Sequence, residues 1–280
     1  MEVFDRRKSG GVPRTSIPSF RLAARELESD TKFLSGFFRF RTKSIDTKSF
    51  GLIRKSHDAI FLAVGLGKDR SLGIPGEKLR GVLPVLKFLE SAKANPSQVK
   101  IGKKVVIVGG GNVSLDAAAT AKRLGMESVV LIYRRSEKEM RVWKGELQEA
   151  RKQGVEIRFL VNPVSVVGKT TVLGIKCRRT RLSSKKDKSG RPIPVDVKDS
   201  EFILDADSVI IAVGQSIEAQ WLEGFDRMKT GYVKVSKNFQ TSVPEVFAGG
   251  DMITGEGKIV QSVASGKYAA HAIHNYLSAK

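Results

Sequence analysis

One cysteine, Cys177, stands among the 280 residues of the chain. A single thiol excludes a disulfide framework and a CxxC redox couple. It also excludes a cysteine-only zinc site or an iron–sulfur cluster built from this chain alone, since each needs several thiolates. Without disulfides, a reducing, cytoplasmic compartment is the expectation. No stretch approaches the ~20 consecutive apolar residues of a membrane span. The N-terminal MEVFDRRKSGG has no apolar segment behind its basic residues, so it does not read as a signal peptide. Internal repeats and low-complexity linkers are missing too. The three histidines, His57, His271 and His274, have no metal-ligand spacing. They read as one strand-edge histidine and two on the surface of a last helix.

Acidic residues are scarce: 29 against 49 lysines and arginines, for a net charge of +20. Such a balance invites nucleic acid, but the charge is spread, with residues 1–100 and the remainder carrying +10 each. The one dense run is Lys176, Arg178, Arg179, Arg181, Lys185, Lys186 and Lys188, leading into Ser189-Gly190-Arg191-Pro192, a hairpin loop. A solvated face is the simplest reading of that run. An acidic protein partner comes next, and nucleic acid last.

Hydrophobic residues make up 41% and charged residues 28%, the balance of a globular chain of about two domains. Four short apolar runs, Asp58–Val64, Val105–Val108, Val129–Tyr133 and Ser208–Val213, are rich in β-branched residues. They fit strands buried on both faces, as in parallel sheets. Three of them end in glycine: Gly65, Gly109 and Gly214. Between the second and third runs a helical pattern over Leu115, Ala118, Ala119, Lys122 and Leu124 stops at Gly125, which makes one βαβ unit. Further along, the pattern predicts a helix over Glu137–Gln153, a strand over Val155–Val161 and a hairpin over Ser165–Arg181. Short strands follow at Val233–Val235 and Val246–Phe247. A final helix, Ile259–Leu277, carries an apolar stripe of Ile259, Val260, Val263, Ala264, Ala269, Ala270 and Ile273.

The sharpest local signal is VVIVGGGNVSLD, Val105–Asp116, with Gly109-x-Gly111-x-x-Ser114. In a dinucleotide fold the first glycine allows the tight turn, the second lets the backbone approach a pyrophosphate, and a small third residue lets helix and strand pack closely. The helix beginning near Asn112 would hold the phosphates on its N–H groups. Where NAD-binding units carry an acidic residue at the end of the second strand, this chain reads Tyr133-Arg134-Arg135. Two guanidiniums suit a 2′-phosphate, so NADP(H) is expected over NAD(H). A plain tight turn and two solvated arginines remain the alternatives. Near the C-terminus, EVFAGGD, Glu245–Asp251, precedes the last helix. Asp251 stands where a carboxylate can accept hydrogen bonds from a polyol, although on spacing alone this could be any strand-to-helix turn.

Three blocks carry a family likeness: Gly10-Gly11 through Ile17-Pro18-Ser19-Phe20-Arg21-Leu22; His57–Val82; and Val108–Met140, followed by DSVIIAVGQ and TSVPEVFAGGD. Together they span nearly the whole chain, which resembles the small-subunit-type NADPH-dependent FAD oxidoreductases of glutamate synthase. The resemblance implies an α/β fold of the pyridine nucleotide-disulfide oxidoreductase type: a Rossmann-like NADPH-binding domain, 69–238, inserted into a partial FAD-binding domain, 1–68 and 239–280. It implies cofactors NADPH and FAD, with electrons passed on to a partner subunit. Gly109, Gly110, Gly111, Asn112, Val113 and Ser114 match the NADPH pyrophosphate loop, and Arg134 and Arg135 the 2′-phosphate grip. Gly250 and Asp251 match the FAD ribityl and phosphate contact, and Ile259, Val260 and Gln261 the helix start beside the flavin ring. Gly65 and Gly214 close two Ala-Val-Gly hinges that are Ala-Thr-Gly in the family. No side chain is singled out as catalytic and no metal ligand is expected.

The departures are two. The family's Met-Pro-Ala after the arginines is Met140-Arg141-Val142 here, which bears on the nicotinamide side. The family also has an iron–sulfur segment and an FAD-binding βαβ unit ahead of the position of Gly10, where nine residues stand in this sequence. The missing unit is expected on a separate chain that completes the FAD site, or the sequence is a fragment, or the protein has lost flavin and is a non-enzymatic NADPH-binding module.

Overall fold

A computed structural model describes residues 1–187, 189–218 and 220–280. The chain divides into two compact units, the second inserted into the first. Unit one comprises Met1–Arg14, Ala24–Lys68 and Gln215–Lys280; unit two comprises Thr15–Ala23 and Asp69–Gly214. The first leg holds β1 (Glu2–Asp5), α1 (Gly11–Thr15), α2 (Ala24–Leu34), β2 (Arg39–Thr42), α3 (Thr47–Ser56), β3 (Ile60–Leu62) and β4 (Lys68–Asp69). The insertion follows with β5 (Val82–Pro84), α4 (Val85–Ala94), β6 (Lys104–Gly109), α5 (Asn112–Arg123), β7 (Ser128–Tyr133), α6 (Lys144–Lys152), β8 (Glu156–Phe159), β9 (Val161–Gly168), β10 (Val172–Lys186), β11 (Pro192–Asp205) and β12 (Ser208–Ala212). The return leg has β13 (Gln215–Ser216), β14 (Val246–Ala248), α7 (Asp251–Thr254) and α8 (Ile259–Ser278).

Unit two is built on a five-stranded parallel sheet in the order β5-β12-β6-β7-β8. Strands β6, β7 and β12 are buried along almost their whole length, so their alternate residues serve two cores. Val105, Ile107, Val129 and Leu131 pack with residues of α4, α5 and α6, such as Phe88, Leu115 and Leu147. Val106, Val108, Val130 and Ile132 pack instead with Val166, Ile175 and Cys177 of the antiparallel sheet β9-β10-β11. The chain order of the strands reverses at β6, which lies between β12 and β7, so the turn after β6 sits at the switch point of the sheet.

In unit one, β1 pairs with β2 and β3 with β14, both in parallel. A core of Phe50, Leu62, Leu222, Phe225, Val233, Val246, Ala248 and Met252 covers one face of β3–β14. Helix α8 covers the other, where Ala269 is fully buried and the rings of Phe247 and Tyr276 meet edge to face. Leu222, Phe225 and Val233 place the stretch 215–238 in this unit rather than with the insertion.

Four elements differ from the sequence expectations. The helix expected over Glu137–Gln153 is a single 3-10 turn, Glu137–Glu139, followed by α6, because Met140 and Val142 turn into the core between them. The strand expected over Val155–Val161 is cut at Leu160, whose φ of 58° swings the chain from β8 into β9. Val233 makes one bridge to Arg227 and no strand. The apolar stripe of the last helix is mostly outward: Ile259, Val260 and Val263 are 43, 68 and 65% exposed.

Cys177 is fully buried against the parallel sheet, and that burial pushes its thiol up to about 12. Thiolate is the reactive form. Native protein is therefore expected to resist an aromatic disulfide reagent at pH 8 and to release one thiol per chain only in denaturant; fast labelling of the native chain would contradict this packing.

Candidate functional site

The glycine turn between β6 and α5 is pressed from two sides. A Cβ on Gly109 would run into the carbonyl oxygen of Ala212 on β12 and come within 2.9 Å of Ser114 Cβ. A Cβ on Gly110 would enter the ring of Tyr133 at the end of β7. These two glycines are therefore required by close approach, the reason small residues belong in such a turn. Gly111 is the N-cap of α5, with φ −113° and ψ 174°. Ser114 is fully buried, and its hydroxyl donates to the Gly111 carbonyl at 2.6 Å, so serine at the third position leaves no unpaired group. No side chain among the described residues caps α5. The amides of Asn112 and Val113 thus begin the helix at its positive end.

The two arginines after β7 part company. Arg134 is exposed, and its pKa is lowered first by the partial burial of its head group and then by the neighbouring charge of Arg135. Arg135 is only 3% exposed. Its Nη2 donates to Asp187 at 2.7 Å and its Nε to the Pro192 carbonyl at 2.9 Å. Of the two guanidiniums expected to grip a phosphate, Arg135 holds the β10–β11 hairpin and Arg134 stays exposed.

Arg141 was not among the expected site residues. Its N–H donates to the Gly110 carbonyl at 3.3 Å, and its backbone pairs with Gly111, which brings an exposed cationic residue to the glycine turn. The departure Met140-Arg141-Val142 was the available signal.

Unit one carries the second turn. Gly249 lies under the Phe61 ring, where a Cβ would stand 2.8 Å from the ring, and Gly250 has a φ of 69° that favours glycine. The Gly250 N–H donates to Ser265 Oγ at 2.7 Å. Asp251 accepts from Ser262 Oγ at 3.3 Å, and burial raises its pKa against the bonds from Ser262 and the Gly257 amide. Gln261 caps α8 by accepting from the Lys258 N–H at 2.9 Å, while Ile259 and Val260 stay exposed beside it. Gly214, with a φ of 109°, ends the insertion, and its carbonyl accepts from Arg70.

The basic run is partly neutralised in place. Lys176 and Arg178 both pair with Glu201, and Arg178 also pairs with Asp196, the arrangement of a solvated, ion-paired face. Lys188 lies outside the described residues. No cluster of three metal-ligating side chains occurs among the described residues, and no helix is long and apolar enough to cross a membrane.

Residues 25–269 match the family described as pyridine nucleotide-disulphide oxidoreductase. The chain is 38% identical over 278 residues to the beta subunit of the NADP(+)-dependent formate dehydrogenase of Moorella thermoacetica, covering 96% of this chain and 39% of that one. It is 32% identical over 298 residues to the NADPH glutamate synthase small chain of Escherichia coli, covering 98% of this chain and 63% of the relative. The chain therefore spans about two fifths to less than two thirds of these curated relatives. Among solved structures, FprA of Mycobacterium tuberculosis in complex with NADPH matches with a TM-score of 0.83 at 20% identity, over 99% of this chain and 77% of that one. The thioredoxin reductase of T. acidophilum matches with a TM-score of 0.72 at 19% identity, over 97% and 88%. These two establish a shared fold.

Proposed function

Because the chain belongs to the pyridine nucleotide-disulphide oxidoreductase family, we propose that it is the NADPH-binding part of a flavoprotein oxidoreductase, passing reducing equivalents from NADPH by way of FAD to a partner, as the small-chain type of glutamate synthase implies. The observation that carries this reading is the turn after β6. Gly109 and Gly110 admit no side chain, no side chain caps the start of α5 among the described residues, and the next strand ends in a cation rather than a carboxylate. That cradle fits a dinucleotide pyrophosphate, with Asn112 and Val113 donating to it and Arg134 facing the 2′-phosphate. The cofactors supply hydride and electron transfer themselves.

On the flavin side, Asp251 keeps acceptor capacity for a ribityl hydroxyl, and the amides that open α8 would lie beside the ring. Among the described residues β3 pairs only with β14, although both faces of that sheet are covered. Beside it, Phe61, Val64, Val260 and Val263 are exposed. Parallel strands buried on both faces normally continue into further strands. A further strand–helix unit, set against β3, would cover these groups and complete the FAD site.

The test is a titration of the purified chain with NADPH and NADH, with flavin absorbance near ~450 nm read before and after addition of the partner. Tighter binding of NADPH and flavin retained with the partner support the proposal. Colourless protein that binds NADPH but takes up no flavin with any partner would favour a binding module, and failure to bind NADPH would overturn the reading. In flavin-loaded protein, Asp251→Ala is expected to weaken FAD by roughly tenfold or more, the loss of a hydrogen bond to a charged group worth about 1.5–3 kcal/mol. Unchanged flavin content would remove Asp251 from the site.

A further inference from the structure

The end of the β10–β11 hairpin is a tightly wired loop. The Asp187 carboxylate accepts from the Ser189 amide at 2.8 Å, the Ser189 hydroxyl at 2.6 Å and the Arg191 amide at 3.2 Å. The Asp187 N–H donates to the Arg191 carbonyl at 2.8 Å, and Gly190 closes the turn at a φ of 80°. This loop is docked on the residues that follow β7. Arg135 holds Asp187 and Pro192, and the Thr180 hydroxyl of β10 donates to the Arg134 carbonyl at 2.9 Å. The hairpin is thus fastened to two successive residues at the strand end where an adenosine ribose would lie.

The wiring leaves positive charge over. Two guanidiniums, of Arg135 and Arg191, share the Asp187 carboxylate, and the exposed Arg134 stands next to Arg135 in the chain. Arg135 has the short contact with Asp187 at 2.7 Å, whereas Arg191 stands 3.8 Å away with its side chain 29% exposed. Arg191 Nε donates to Ser189 Oγ at 2.9 Å, which steadies the side chain. We propose that Arg191, delivered by the hairpin, is the second guanidinium of the 2′-phosphate grip and sets the preference for NADPH beside Arg134, while Arg135 acts as a positioning residue that docks the hairpin. After burial and Arg135, the charge of Arg191 is a further cause that lowers the Arg134 pKa, so the two heads are close enough to feel one another. A phosphate dianion between them relieves that repulsion and accepts several charge-assisted hydrogen bonds. NADH offers only a hydroxyl there.

This inference rests on the NADPH reading above, and the test separates the two. Dissociation constants for NADPH and NADH are measured by nucleotide fluorescence on the wild-type chain and on Arg134→Ala, Arg191→Ala, Arg191→Lys and Asp187→Asn, with thermal melts as a control for folding. Arg191→Ala is expected to weaken NADPH at least tenfold and NADH less than twofold, with Arg191→Lys in between. Asp187→Asn removes the charge that meets Arg135; it should lower NADPH affinity, and adding Arg191→Ala to it should cost less than the single change does. If Arg134→Ala erodes the NADPH preference and Arg191→Ala does not, the role of Arg191 is overturned and the NADPH reading stands. Additive losses in the double variant would remove the positioning role of Arg135. A wild-type chain that binds neither nucleotide sinks both.

Discussion

Replacing Gly111 by valine is expected to remove measurable binding of NADPH and NADH alike, a loss of a hundredfold or more, while the melting temperature stays within about 3 °C of wild type. The two halves of this result have separate causes. Gly111 occupies extended backbone at φ −113° that any residue adopts, so a side chain there imposes no conformational strain. In the function proposed above, Gly111 leaves room for a pyrophosphate to reach the helix amides, and both nucleotides share that group, so selectivity should not change. The hundredfold figure corresponds to about 2.7 kcal/mol, a modest charge for closing the phosphate seat. Gly109→Ala is the control with the opposite signature. Its methyl group would be forced onto the Ala212 carbonyl and Ser114, prising α5 from the sheet, at a cost typical of overpacking, about 1–3 kcal/mol. Undiminished nucleotide affinity in the valine variant, measured by calorimetric titration, would mean that the turn is not where the nucleotide sits.

The contrast between these neighbouring glycines shows what was legible from residues alone. β6, β7 and β12 could be read because a strand covered on both faces needs an unbroken β-branched run. The turn could be read because close approach admits so few residue types. Arg135 could not, since its burial depends on Asp187, 52 positions further on, and two adjacent arginines carry no mark of which one faces inward. Nor could the break after Glu139, where Met140 and Val142 keep to the core while the N–H of Arg141 turns to Gly110. The outward face of Ile259, Val260 and Val263 was hidden for a different reason: helical periodicity shows that a stripe is apolar and says nothing of what covers it.

Arg21→Ala is expected to lower the stability of the inserted unit by about 3 kcal/mol, the cost of removing two charge-assisted hydrogen bonds from partly buried carboxylates. The segment Thr15–Ala23 belongs to that unit although its flanks do not, and four contacts tie it there. Arg21 Nε reaches Asp116 on α5 at 2.6 Å, while its Nη1 bonds Glu146 on α6. Lys93 on α4 donates to the Ile17 carbonyl at 2.6 Å, and Arg123 lies over the Phe20 ring at 4.3 Å. The first contact matters most because Asp116 is 14% exposed, and burial already raises its pKa against the pull of Arg21. Without Arg21, two carboxylates face each other with no cation between them. A carboxyl whose pKa is higher folded than unfolded binds its proton more tightly when folded, so its destabilising effect grows as pH rises through the folded value and fades as pH falls. The melting temperature of the variant should therefore trail wild type by roughly 5–10 °C at pH 8, and by clearly less at pH 5. Arg21→Lys should recover part of the loss at pH 8, because a point charge restores the Coulomb attraction without the forked geometry. A deficit equal at both pH values would show that Arg21 acts through packing of the segment and not through the carboxylates.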